Sequence, residues 1–248
     1  MKAIVFAAGI GSRLRPFTDE HPKALAPIAG RPALGLVIDK LVAAGADTVI
    51  VNVHHFAQQV IDFVRTQNYP VRIGFSDETD LLLDTGGGIV KIWRESGLDS
   101  ILSDDEPLVV HNADILTDFP VDDIVGASCG SDAALLVDKD RHSSRKFLFD
   151  DNNRLHGWIN KSTGAVRPDG INPAGLTEAA FGGVHVLYRH ILDDISTYCG
   201  DFHPFSITDY YIDRCSEMSI RGYTPARTYK WFDIGTPERL EAAQSFMS

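Results

Sequence analysis

Within KAIVFAAGIGSRLRPFTDEHPKALAPIAGRP, residues 2–32, an apolar run ends in Gly9 and Gly11, and the cations Arg13 and Lys23 follow. A strand that runs into G-x-G must turn sharply, and its glycines let backbone N–H groups come close to a ligand. Phosphate is the usual guest of such a nest of donors. A planar guanidinium and a compact ammonium just beyond it would supply the opposing charge. Two common phosphate sites do not fit. A dinucleotide fingerprint needs a third glycine and an acid at the end of the second strand. Here Leu14 follows Arg13, and the second strand ends in Val53-His54-His55. A P-loop needs G-x-x-x-x-G-K-[ST], and no such string occurs in the sequence.

Those residues have to be held at the mouth of a sheet, and the flanking chain supplies one. Residues 2–8 (KAIVFAA) and 48–53 (TVIVNV) are short apolar runs rich in β-branched residues. LGLVIDKLVAAG between them has helical spacing and stops at Gly45. The series continues with FAQQVIDFVRTQ as a helix, VRIGFS as a strand, IVKIWRES as a helix, and PLVVHNAD and AALLVD as strands. Such alternation predicts an α/β fold with a mostly parallel sheet covered on both faces. From residue 145 the pattern changes. RKFLFD and RLHGWIN flank Asp150-Asp151-Asn152-Asn153, a hairpin signal, and the Gly/Pro-rich KSTGAVRPDGINPAG precedes a strand in AFGGVHVLY. A helix near 206–218, a strand through RTYKWF and a helix opened by Thr236-Pro237 finish the chain. The length of 248 residues, 44% of them apolar, predicts one domain over 1–248.

A net charge of −11 argues against nucleic acid or an anionic membrane as partner, since either calls for a basic face. The charge is uneven, +3 over residues 1–31 and −14 over the rest, so the opening stretch is a positive island suited to a small polyanion. No run of about 18 apolar residues could cross a bilayer, and MKAIVFAAGIGSR passes into a charged loop instead of a cleavage site; a cytoplasmic protein is expected. Cys129, Cys199 and Cys215 lack metal-ligand spacing and read as buried free thiols. The nine histidines, His54-His55 included, show no convincing ligand spacing either. The oligomeric state is left open, a monomer included.

The stretch A-A-G-x-G-S-R-L-x-P-x-T-x-x-x-P-K-x-L-x-P-I-x-G-x-P, from Ala7 to Pro32, closely resembles the signature of sugar-1-phosphate nucleotidyltransferases. Asp84-Thr85-Gly86-Gly87-Gly88 resembles that family's second glycine loop, and His111-Asn112-Ala113-Asp114 its strand-end aspartate motif. Trp231-Phe232-Asp233-Ile234-Gly235-Thr236-Pro237 resembles its late W-x-D-I-G-T-P motif. The short length and the D-T-G-G-G-I loop look most like the N-acetylmuramate-1-phosphate uridylyltransferases of cell-wall recycling. The resemblance implies a Rossmann-like sheet with a small β-rich sugar-binding region in the second half. It implies a nucleoside triphosphate, UTP first, and a sugar 1-phosphate as partners, with nucleotide sugar and pyrophosphate as products.

It also assigns roles. Arg13 would clamp the triphosphate and Lys23 would sit at the α-phosphate, while Asp114 and Asp233 would hold Mg2+. Ala7, Ala8, Gly9, Gly11, Ser12, Thr85, Gly86, Gly87 and Asn112 would bind the nucleotide, the later glycines lying under the base. Asn160, Lys161, Gly182 and Gly183 would face the sugar phosphate, with Asn160-Lys161 standing where the family carries Glu-Lys-Pro. CTP with a phosphorylated alcohol such as phosphocholine, GTP with a mannose or heptose phosphate, and a non-catalytic nucleotide-sugar sensor stay open as alternatives.

Overall fold

Strand β1 (Lys2–Phe6) divides two cores, with Ala3 and Val5 in one and Ile4 in the other. A computed structural model describes residues 1–247; Ser248, the last position of the expected domain, lies outside the described residues. From β1 the chain crosses through α1 (Ala33–Ala43) to β2 (Thr48–Val53) and through α2 (Ala57–Thr66) to β3 (Arg72–Asp77). Helix α3 (Asp84–Glu95) then leads to β4 (Leu108–Asn112) on the other side of β1. In α1, Ala33, Leu34, Val37, Ile38 and Leu41 are buried, the spacing of one helical face. All six residues of β2 are buried, as a strand covered on both faces requires. Because β1 pairs in parallel with both β2 and β4, strand order reverses there, and a crevice opens at its carboxyl end. Phe6, its last residue, lies level with Asn52 and Asn112.

The second half runs through β5 (Ile115–Thr117), α4 (Val121–Ala127), β6 (Ala133–Asp138), β7 (Arg145–Phe149), β8 (Leu155–Asn160) and β9 (Thr177–Leu187). It ends with α5 (Arg189–Cys199), α6 (Ile207–Arg214), β10 (Ile220–Tyr223), β11 (Trp231–Asp233) and α7 (Pro237–Met247). Strands β7 and β8 form the expected hairpin. Strand β9 runs antiparallel to β4, β6 and β7, which ties the two halves into one ten-stranded sheet. The central sheet is therefore mixed, parallel across β4, β1, β2 and β3 and antiparallel where β9 joins, with helices flanking it.

Three expectations need correction. Helix α3 begins at Asp84, so the D-T-G-G-G stretch forms its first turns and is not a loop. Packing overrides propensity here: a Cβ on Gly86 would fall into the Phe205 ring, one on Gly87 would meet the His203 carbonyl at 2.7 Å, and one on Gly88 the Glu78 carboxylate at 2.8 Å. Helix α5 was not foreseen, although Ile191, Leu192, Ile195 and Cys199 bury one face of it. Of the cysteines, Cys199 and Cys215 are buried as expected, but Cys129 is exposed.

Candidate active site

The loop after β1 is pinned between its neighbours. Ala7 donates its N–H to the Asn52 carbonyl at 3.0 Å, and Ala113 donates to the Phe6 carbonyl at 2.9 Å. Gly11 then takes φ +68°, and a Cβ there would press to 2.9 Å against the stem of Lys23. The glycine thus lets the chain fold back onto Lys23, an 8% exposed lysine aimed at the crevice. Ser12 and Arg13 lie in a single 3-10 turn on the exposed rim.

Asp114 and Asp233, 119 positions apart in sequence, meet because β11 pairs antiparallel with β5, level at Asp233 and Ile115. The Ile234 N–H closes the contact by donating to the Asp114 carbonyl at 3.0 Å. Lys23 Nζ donates to Asp114 Oδ2 at 2.5 Å and lies 3.7 Å from Asp233 Oδ1, so one ammonium touches both carboxylates. A Cβ on Gly235 would come within 3.1 Å of Arg13 Nη2, 3.2 Å of Lys23 Nζ and 2.7 Å of Asp233 Oδ1. The glycine of D-I-G-T-P is thus the point where Arg13, Lys23 and Asp233 converge. Arg239, from the first turns of α7, holds the far oxygen of Asp233 at 2.5 Å.

Two cavities open on this cluster. The first, about 440 Å³, is lined by Ala7, Ala8, Gly9, Lys23, Thr85, Asn112 and Asp114, and also by Asn52, Glu78 and Asp84. Glu78 is buried, accepting from Asn52 Nδ2 at 2.6 Å and from the Leu83 N–H at 2.9 Å. Burial raises its pKa above the usual carboxylate range despite those two bonds. The second cavity, about 450 Å³, shares Asn112 and Asp114 and adds Arg141, Ser143, Phe181, Gly183, Trp231, Asp233 and Arg239. Strand β9 bends between Phe181 and His185, where Gly183 has φ +73°. A Cβ on Gly183 would lie 3.0 Å from Asn112 Nδ2.

The remaining expected contacts lie elsewhere. Gly86 and Gly87 are buried under residues 203–205, so Thr85 reaches the first cavity while these glycines do not line it. Gly182 does not line the second cavity: a Cβ there would press to 2.8 Å on the Leu136 side chain, and its carbonyl accepts from Trp231 Nε1 at 2.9 Å. Asn160 caps a turn by accepting from the Ser162 N–H at 2.9 Å. Lys161 is exposed and pairs with Glu178 at 2.6 Å, away from both cavities. Sequence reasoning missed Asn52, Glu78, Arg141 and Arg239. Asn52, a polar residue near the end of an otherwise apolar strand, carried a readable signal. Arg141 sits in a loop that no motif marks.

Among the described residues no group of three or more His, Cys, Asp or Glu side chains could cage a metal ion. Two carboxylates side by side, all oxygen donors, nonetheless fit a Mg2+ that draws its other ligands from phosphates and water. The arrangement as a whole defines a class: an α/β protein with a glycine turn at a switch point and two acids and two cations gathered beside it. The family described as Nucleotidyl transferase matches residues 2–248, and the chain belongs to it. It is similar to the N-acetylmuramate alpha-1-phosphate uridylyltransferase of Caulobacter vibrioides, 30% identical over 98% of this chain and 95% of that one. The enzyme of the same name from Neisseria meningitidis serogroup B is also 30% identical, over 99% and 97%. The solved structure of HddC from Yersinia pseudotuberculosis superposes with a TM-score of 0.74 at 20% identity, covering 100% of this chain and 99% of that one, a likeness of fold. The chain is a sugar-1-phosphate nucleotidyltransferase by family, and no helix among the described residues is long and apolar enough to cross a membrane.

Proposed function

We propose that the chain transfers a uridylyl group from UTP to N-acetylmuramate 1-phosphate, in the cytoplasm, as a step of cell-wall recycling. The observation that carries this reading is the pair of cavities that share Asn112 and Asp114, one at the phosphate-binding loop and one beside it. Full-length likeness to two uridylyltransferases for that sugar supports the choice of substrates. The unbroken ten-stranded sheet supports reading the whole chain as one domain.

The triphosphate would lie in the first cavity against Ala7, Ala8 and Gly9, with its base toward Asn52, Glu78 and Thr85. A phosphate oxygen of the sugar 1-phosphate attacks the α-phosphorus in line; the new P–O bond forms as the bond to the β-phosphate oxygen breaks, and pyrophosphate leaves. The attacking phosphate has a second pKa of about 6 and is already a dianion at neutral pH, so no general base is needed. Position and charge do the catalysis. Arg13 clamps the leaving phosphates with its fork, and Lys23 offsets charge at the α-phosphate. Asp114 and Asp233 would hold Mg2+, which when bound would neutralise part of the charge on the reacting phosphates. The test is pyrophosphate release with Mg2+, four nucleoside triphosphates and several sugar 1-phosphates. UTP with N-acetylmuramate 1-phosphate is expected to give the highest kcat/KM; a strong preference for GTP or CTP would overturn the UTP assignment and keep the reaction class.

A further inference from the structure

The second cavity contains two arginines in different states. Arg239 is paired with Asp233 at 2.5 Å. Arg141 makes no ion pair among the described residues, although it is partly buried and burial lowers its pKa. Its guanidinium carbon lies over the Trp231 ring, 4.0 Å from the centroid, and Nη2 donates to the Phe181 carbonyl. Nη1 is buried without a hydrogen-bond partner. Asp138 and Asp233 act on it only from beyond ion-pair contact, and withdrawing a guanidinium from water with no carboxylate touching it is costly. Such groups persist where something else brings the anion. Here the cation is held rigidly by Trp231 and Phe181, so its fork is already oriented for a planar, two-oxygen partner.

The cavity wall around it is mixed. Trp231, Phe232, Ile115 and Phe181 give apolar surface next to the one arginine without a carboxylate partner. We infer that Arg141 recognises a carboxylate carried by the sugar of the second substrate, and so selects an acidic sugar phosphate over a neutral one. This rests on the substrate reading above, because N-acetylmuramate differs from N-acetylglucosamine by a lactyl ether that bears such a carboxylate and a methyl group. The carboxylate would pair with the Arg141 fork, and the methyl would rest on the aromatic wall. The sugar's phosphate would be met separately, at Lys23 and at the Mg2+ that Asp114 and Asp233 would hold. Arg141 thus sets specificity and takes no part in the bond changes.

The test compares steady-state kinetics on N-acetylmuramate 1-phosphate, on its analogue with the lactyl carboxylate converted to a carboxamide, and on N-acetylglucosamine 1-phosphate. In the wild type the carboxamide should lose roughly 30- to 100-fold in kcat/KM, through KM more than kcat. Arg141→Gln should lose a similar factor on the acidic sugar and far less on the two neutral ones, collapsing the selectivity. Arg141→Lys should recover part of it, and guards against a fold lost with the stacking on Trp231. Equal losses on all three sugars in both variants would overturn the inference while leaving the substrate reading in place. A wild type that prefers N-acetylglucosamine 1-phosphate over the acidic sugar would take down both.

Discussion

The two cavities are nearly equal in volume, about 440 and 450 Å³, yet they are built from different materials. The one at the end of β1 sets a group of small residues, Ala7, Ala8, Gly9, Ala24 and Ala113, most of them in two short segments pinned to neighbouring strands, among the charged side chains of Lys23, Glu78, Asp84 and Asp114. Its neighbour is walled by charged and aromatic side chains drawn from four separate parts of the chain, residues 112–115, 141–143, 181–183 and 231–242. The difference teaches a division of labour. Backbone and small residues suit a ligand common to a whole family, whereas side chains on irregular loops are free to vary with the substrate. Asn112 and Asp114 line both cavities, and at this seam Lys23 stands on the first side and Asp233 on the second.

That comparison can be broken most directly at the seam. Lys23→Met keeps the buried stem and removes the charge, so turnover should fall by roughly 100- to 1,000-fold with little change in melting temperature. Near-normal rates in a well-folded variant would remove Lys23 from the reaction. Asp114→Asn and Asp233→Asn should each abolish most magnesium-dependent turnover. Because the two carboxylates share one ammonium and would share one ion, the double variant should cost far less than the two single losses combined. Additive losses in that cycle would mean that the two acids work independently.

The join between the parallel and antiparallel halves gives the next test. His111 on β4 and His185 on β9 are both buried, and burial pushes their pKa values down to about 4 and about 3. On unfolding each returns to about 6.5, so the unfolded chain takes up protons that the folded chain refuses. Stability from this source is complete above about pH 6.5 and is lost as the pH falls toward about 4 for His111 and about 3 for His185. Urea unfolding should lose up to about 1.4 kcal/mol per pH unit for each histidine within that window, and His185→Gln should flatten the slope. A slope unchanged in that variant would mean that other groups carry the pH dependence.

Gly86 gives the smallest effect and separates two roles. If it is there to admit Phe205, as the packing indicates, Gly86→Ala should destabilise the protein by about 1–3 kcal/mol, lowering the melting temperature by several degrees. A variant of normal stability whose KM for the triphosphate rises tenfold would instead put Gly86 under the base.

The first half of the fold was largely legible because its signals are local. Apolar runs, helical spacing at Ala33–Ala43 and the stop at Gly45 each act within a dozen residues. The second half was less so. Helix α5 went unread although its periodicity was present, and the start of α3 was misplaced because three glycines argue for a loop until Phe205, His203 and Glu78 pack against them. In the site, Gly9, Arg13, Lys23, Asp114 and Asp233 stood out through their motifs, whereas Lys161 was expected at the sugar and pairs with Glu178 instead.

By itself, then, the sequence determined the glycine turn after β1, the chemical types gathered around it and the family to which the chain belongs, because glycine conformation and fixed charge are properties of short segments. Only the tertiary structure decided which of those groups meet. The pairing of β11 with β5 brings Asp233 beside Asp114, and Lys23 lies between them. Arg141 is placed over Trp231 with no carboxylate in ion-pair contact among the described residues. Contacts of that kind join residues far apart in the chain, and their existence depends on the packing of a whole sheet, which no local pattern encodes.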